Sequence, residues 1–508
     1  MRRARSAAGT GSPEVGAPLF DSAMRRVAAV VVLGTIMSIL DSTIVNVAID
    51  SLGRDFHTTV TTIQWVVTGY LLALGVVIPL TSWAIEQFGA KRAWMSSLAL
   101  FLVGSILCGA APSTSALIGF RILQGIGGGM ILPIGQTILA REAGPNRIGR
   151  VMTVIGVPSL LGPVLGPVVG GLILVDLSWR WIFFVNVPIG IVALVLAWRI
   201  LGGDDRSAHR VRLDLVGFLL ASPGLALVVY GLSEAGTTGG FGQPLVLVGL
   251  VLGAVLVVVF VLRALRVRAP LVDVRLLARR SVAFSAMTSF LLAGSLFGAT
   301  FLIPLYYQVD RGQSALTAGL LMAPQGIGAM LVMPLAGRIT DRAGARRVVP
   351  FGIVVAVLAT AAYTQVTPHT SEALLALTLF GRGVGLGASI MPAVAAAYRS
   401  LGRAEVPNAT TLMNILQRIG ATLGTAIVAV VLQQRIAAAL PGAPVSLSST
   451  PTTALPAAAA SRLAGAFGQT FWVALVFAAI CLVPALFLPR PAASASEPRA
   501  PVLATAPE

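Results

Sequence analysis

Apolar residues along this chain do not alternate as in a strand, nor do they mark one stripe as in a soluble helix. They come in unbroken runs of about 20 residues, each long enough to cross about 30 Å of hydrocarbon as a helix. About fourteen such spans are predicted, near 27–49, 63–85, 92–111, 115–139, 151–174, 181–200, 213–231, 244–264, 282–306, 316–337, 348–366, 373–397, 409–432 and 470–488. The first run is too long for a removable leader and reads as the first span. Between the runs, 201–212 and 265–281 are basic linkers, and 436–469, rich in Ala, Pro, Ser and Thr, reads as an external loop. The tails 1–24 and 489–508 have the composition of disordered segments. The expected fold is an all-α polytopic membrane protein.

Composition supports this class. Hydrophobic residues make up 56% of the chain and charged residues 11%, where a soluble domain carries about 25% charged. The net charge of +17 invites a nucleic-acid reading, but its distribution opposes one. With Met1 in the cytoplasm, 28 of the 36 Lys and Arg fall on the cytoplasmic side, 5 outside (Arg54, Arg180, Arg311, Arg435, Arg462) and 3 within spans (Arg121, Arg382, Arg418). That asymmetry follows the positive-inside rule. It predicts a multi-pass protein of the plasma (inner) membrane with both termini cytoplasmic, whose surroundings are lipid and not nucleic acid. The two cysteines, Cys108 and Cys481, lie in apolar runs, and the three histidines form no ligand set. No metal or cofactor is expected, and neither a phosphate-binding Gly-Lys-Ser/Thr loop nor a Ser/His/Asp set points to an ATP-driven pump or an enzyme.

An internal repeat organises the chain. Residues 79–92 align with 334–347 at a constant offset of 255: Pro79 with Pro334, Leu80 with Leu335, Glu86 with Asp341, Gly89 with Gly344, Lys91 with Arg346, Arg92 with Arg347. Both copies fall in cytoplasmic turns, so the repeats are parallel, as in the two halves of a major facilitator transporter. The domains expected are a six-helix bundle at 25–200, two additional helices at 213–264 and a second six-helix bundle at 282–488.

Polar residues inside the spans are candidates for function. Asp41 lies well within the first span, where an ionised carboxylate is costly unless protonated or paired. Low dielectric favours a carboxyl's neutral form, which would allow proton exchange near neutral pH. A structural carboxylate held by a neighbouring helix is the other reading. Asn46, about 140° further round the helix, is expected to bond a neighbouring helix. Arg121 cannot deprotonate and must find an anion or several carbonyls. Gln124, Gly125 and Gly128 share its face. Gly162-Pro163, Gly166-Pro167 and Gly170-Gly171 place small residues at i, i+4 and i+8, a close-packing face.

Five segments, in order, carry a family resemblance: Leu40 to Ala48, the 79–92 turn, Arg121 to Gly129, Gly156 to Gly171, and Trp179 to Gly190. Over nearly its whole length the chain resembles the fourteen-helix drug:proton antiporter family of the major facilitator superfamily. The resemblance implies that Asp41 and Arg121 serve proton coupling. It also implies that the Gly-Pro pattern marks an exporter and shapes the interface between the halves. The 79–92 turn and its repeat resemble a cytoplasmic gating motif, carried by Ser82, Glu86, Gly89, Lys91 and Arg92 and by Gly337, Asp341, Arg342 and Gly344. The first copy departs from pattern: Ser82 stands where Gly is usual and Glu86 where Asp is usual, which suggests a weaker gate. The implied function is export of drug-like or antibiotic molecules in exchange for protons, by a protein working as a monomer. A metabolite symporter and a non-transporting membrane sensor are the alternatives.

Overall fold

The computed structural model describes residues 22–144, 147–203, 211–367, 370–440 and 457–489. The first half comprises α1 (Ser22–Asp55), α2 (Val60–Val77), α3 (Thr81–Phe88), α4 (Ala90–Gly109), α5 (Thr114–Ala143), α6 (Ile148–Asp176), α7 (Trp181–Phe184) and α8 (Asn186–Ile200). A hairpin of α9 (Leu215–Thr238) and α10 (Pro244–Ala264) follows. The second half comprises α11 (Arg280–Leu305), α12 (Ala315–Leu321), α13 (Ala323–Ala343), α14 (Ala345–Ala361), α15 (Glu372–Tyr398), α16 (Val406–Ala439) and α17 (Ala457–Leu486). Among the described residues, 13 segments are long and apolar enough to cross a membrane. Helix α6, 29 residues long, takes the place of the fourteenth.

Local chemistry sets the helix ends. Thr59, Ser113 and Ser314 accept backbone N–H bonds at the starts of α2, α5 and α12, satisfying donors that a helix start leaves open. Gly89 and Gly344 turn the chain between α3 and α4 and between α13 and α14 at φ 86° and 83°, a region glycine enters without steric cost. These two glycines are 255 residues apart, so the repeat read from sequence is also a repeat of backbone geometry.

Two expectations need correction. Residues 457–469 are helical, the first part of α17, and not loop; their alanines favour helix and outweigh the small polar residues. Helix α16 likewise runs to Ala439, so only 440–456 separates the two, and 441–456 lies outside the described residues. The tails at 1–21 and 490–508 also lie outside them, while Ser22 to Met24 already belong to α1.

Helix α10 of the hairpin is the least buried of these membrane-crossing segments among the described residues. Leu247, Val251, Val255, Val258 and Leu262 of α10 are exposed, and this span has a mean hydropathy of 3.3, as a lipid-facing surface requires. Helix α9 instead joins the two halves. Ser222 Oγ donates to Val76 O of the first half (2.6 Å), and Gln433 Nε2 of α16 donates to Gly236 O (2.7 Å). At the end of the bundle carrying Lys91 and Arg150, here the basic end, Asp214 caps α9. It accepts from Gly217 N and Arg263 Nη1 (2.9 and 2.7 Å). Partial burial works against its charge, but these bonds outweigh that and hold the carboxyl below its ordinary range.

Residues 265–279 then cross the basic end as a strap. Its Leu271, Val272, Val274 and Leu276 are buried. Leu271 O accepts from Ser82 Oγ (3.0 Å), and Asp273 N donates to Asn408 Oδ1 of the second half (3.2 Å).

Candidate functional site

Asp41 is fully buried, and both its oxygens are occupied. Oδ2 accepts from Arg121 Nη1 at 2.6 Å. Oδ1 accepts from Gln124 Nε2 at 2.8 Å and from Asn186 Nδ2 at 2.9 Å. Three helices supply these groups, α1, α5 and α8, and α5 supplies two because Arg121 and Gln124 are three residues apart on one face. Arg121 also donates to Gln124 Oε1 (2.8 Å) and, through Nε, to Val66 O (3.2 Å). Its guanidinium carbon lies 3.9 Å from the Tyr70 ring centroid, which lets the ring's π face share the charge. A fully buried ion pair of this kind is held by its extra hydrogen bonds, since removing either partner strands a charge at a cost of about 3–5 kcal/mol.

This geometry ties proton uptake to weakening of the pair. Oδ1 already accepts two amide donors, and a proton at Oδ2, which accepts one bond, would remove the negative charge that holds Arg121. Asp41 has no exposed surface, so a proton reaches it only when the cluster rearranges.

Sequence reasoning missed Asn186. The Trp179–Gly190 segment carried it only as a family marker, and the structure gives that segment a purpose. Trp179 Nε1 donates to Asp55 Oδ2 (2.7 Å), and Arg180 Nη1 donates to the carbonyls of Gly109 and Ala111 at the end of α4 (2.9 and 3.1 Å). Thus anchored, α7 and α8 bring Asn186 to Asp41, and Asn186 also bonds Ser105 Oγ (3.1 Å). Asn46, expected to bond a neighbouring helix, is exposed instead; the helical turn carries it away from the helices that Asp41 faces.

The glycine face of α6 packs on α1, immediately beside Asp41. A Cβ on Gly162 would overlap Ile39, and one on Gly166 would overlap Thr43 Oγ1. One on Gly170 would lie 2.9 Å from Ile44 Cγ1. Thr43 Oγ1 donates to Gly162 O (3.2 Å) across the contact. Both helices belong to the first half, which corrects the expectation that this face shapes the interface between halves. Gly171 is the glycine of the set that approaches the second half, 3.7 Å from Leu316 by its built Cβ. The opposite side of α6 forms the interface, with Gly156 against Met333 and Met391. The helix continues through Pro163 and Pro167.

At the basic end the two copies of the repeated turn bridge the halves unequally. Asp341 Oδ1 accepts from Gly149 N (2.9 Å), and its Oδ2 accepts from Arg150 N and Arg150 Nε (3.2 and 3.1 Å). A carboxylate on the first N–H groups of α6 is stabilised by the helix dipole as well as by these bonds. Gly337 permits the approach, because its Cβ would lie 2.9 Å from Gly149 O. In the first copy, Glu86 accepts one bond across the halves, from Asn408 Nδ2 (2.9 Å). Ser82 bonds the strap, and Lys91 Nζ donates to Trp198 O and Leu201 O (both 2.7 Å), closing the end of α8 within its own half. Arg342 is exposed. Replacing Asp341 with Asn keeps the shape and removes the charge from three donors, so about 1–3 kcal/mol of closure at this end is expected to be lost. Faster thiol labelling of a cysteine placed at Met391 would register it; an unchanged rate would count against this role.

The two remaining intramembrane arginines differ. Arg382 Nη1 donates to Gln325 Oε1 and Nη2 to Ser295 O (3.2 Å), so the second half satisfies it internally. Arg418 Nη2 donates to Leu71 O of the first half (3.2 Å), while its buried Nε has no partner.

The Major Facilitator Superfamily model matches residues 31–425. A multidrug resistance protein B homolog of Mycobacterium tuberculosis is 40% identical over 504 residues, covering 95% of this chain and 93% of that protein. The multidrug export protein EmrB of Haemophilus influenzae is 30% identical, covering 78% of each chain. Among solved structures, the proton:xylose symporter XylE matches with a TM-score of 0.61 at 13% identity, covering 92% of this chain and 96% of that one.

Proposed function

The chain belongs to the Major Facilitator Superfamily, and on that premise we propose that it exports drug-like small molecules across the plasma membrane in exchange for protons. In this reading the basic end faces the cytoplasm and both termini are cytoplasmic. The observation that carries the reading is the buried Asp41–Arg121 pair. A membrane-embedded carboxylate whose protonation strands the buried charge of its partner is a coupling element, because protonation then favours rearrangement. The names of the two relatives, which cover most of their own length, supply the direction of transport and the class of cargo. Each proton entering down about 100 mV releases about 2.3 kcal/mol, enough to hold roughly a fiftyfold substrate gradient at one-to-one exchange.

Asp41 and Arg121 are the coupling residues in this reading. Asp341, Glu86 and the helix starts they meet close the cytoplasmic end, and Gly162, Gly166 and Gly170 let α6 and α1 move as a unit. Proteoliposomes with an imposed proton gradient test the proposal. A panel of amphiphilic compounds should show gradient-dependent efflux that a protonophore abolishes. Flux indifferent to the gradient would refute proton coupling.

A further inference from the structure

Three buried or half-buried guanidiniums and one buried carboxylate lie in the middle of the membrane-spanning helices, among the described residues. Arg121 takes that carboxylate, Asp41, although its Nη2 is buried without an acceptor. Arg382 takes two oxygens of its own half. Arg418 remains: no carboxylate among the described residues pairs with it, its one bond is a 3.2 Å contact to Leu71 O, and its Nε is buried without an acceptor. It stands about 18 Å along α16 from Val406, at mid-depth and not at a helix end, so it is remote from the headgroup region where such a side chain would ordinarily find anions.

From this imbalance we infer that Arg418 recognises an anionic group of the exported molecule, a carboxylate or a phenolate, and that the cargo is an acidic amphiphile. The inference rests on the export reading above. A guanidinium presents a planar fork of donors that fits a carboxylate with two parallel bonds, and a backbone carbonyl occupies only part of it. The surroundings suit the rest of an amphiphile. Gly75, Ile78, Leu225, Val229, Ile415 and Ile419 line the small cavity beside Arg418. That cavity measures about 10 Å³, room for about one water, so the present conformation is one without cargo there. Arg418 reaches from the second half to a carbonyl of the first, and relative motion of the halves necessarily changes that contact and frees the fork. Asp41, in contrast, accepts from three donors and has no free oxygen with which to counter a cationic substrate.

Three probes sharing one aromatic body, bearing a carboxylate, a primary amide or a trimethylammonium, test the inference in proteoliposomes with an imposed proton gradient. The readout is the ratio of carboxylate to amide transport efficiency. Wild type should export the carboxylate, and R418Q should lower that ratio at least about tenfold, as loss of a charge-assisted double bond implies. R418K, which keeps the charge without the fork, should lower it less. An unchanged ratio in R418Q, whatever the absolute rate, overturns the inference. Should R418Q not reach the membrane, R418K decides, with an unchanged ratio again overturning it. Wild type that exports the trimethylammonium probe and not the carboxylate overturns the inference and leaves the export reading standing. Wild type that moves none of the three in response to the gradient overturns both.

Discussion

Replacing Asp41 with Asn should abolish gradient-driven efflux and, unusually for an isosteric change, also destabilise the protein. The transport loss is expected to be complete, down to the rate without a gradient, because the amide does not titrate. The stability loss arises from Arg121. Its Nη1 sits 2.6 Å from Asp41 Oδ2 with no solvent access, and removing the anion strands a buried cation at a cost of about 3–5 kcal/mol. The double variant Asp41→Asn with Arg121→Gln removes both charges and should recover much of the lost thermal stability while transport stays absent. Thermal unfolding in detergent and efflux in proteoliposomes separate the two effects. Gradient-driven transport by the single variant would remove Asp41 from the coupling role, and failure of the double variant to regain stability would mean that the pair is not what the cluster rests on.

Gly166→Leu should stop transport from the other direction, by filling space. Even the first carbon of a side chain at 166 would overlap Thr43 Oγ1 and approach Ile44 N to 3.1 Å. The threonine hydroxyl can rotate, at the loss of its bond to Gly162 O, but the backbone cannot, and overpacking of this sort costs about 1–3 kcal/mol or more. Helix α1 is then pushed off α6 two residues from Asp41, so the charged cluster is disturbed as well. Gly119 of α5 is the control, with nothing within 4 Å of its built Cβ; Gly119→Ala should be neutral or stabilising by up to about 1 kcal/mol. Equal activity of Gly166→Leu and Gly119→Ala at matched membrane levels would show that the contact has no part in the cycle.

The spans were readable because length and hydrophobicity alone force a buried or lipid-facing helix. The repeat was readable because the same turn, with glycine at 89 and 344, is needed twice. Asp41 and Arg121 were readable as residues that do not belong in hydrocarbon without a reason. Their pairing was not, since 80 positions separate them and periodicity reports a face but never its partner. The same limit explains the glycine stripe: spacing showed that something packs closely at Gly162, Gly166 and Gly170, while only the fold showed that it is α1. Asn186 was hidden further, because its segment drew notice only as part of the resemblance, and its value lies in the anchoring of Trp179 and Arg180 upstream. The helical 457–469 segment was misread because alanine is both small enough for a loop and the best helix former.

The hairpin and strap have a mechanical meaning. A connector fixed to one body is a passenger, whereas one fixed to two bodies is a tether. Here α9 is bonded to Val76 on one side and Gln433 on the other, and the strap holds Ser82 with one residue and Asn408 with another. Parting the halves at the basic end must break or stretch the strap's bonds to Ser82 and Asn408. Opening at that end therefore costs those two bonds, and closing recovers them.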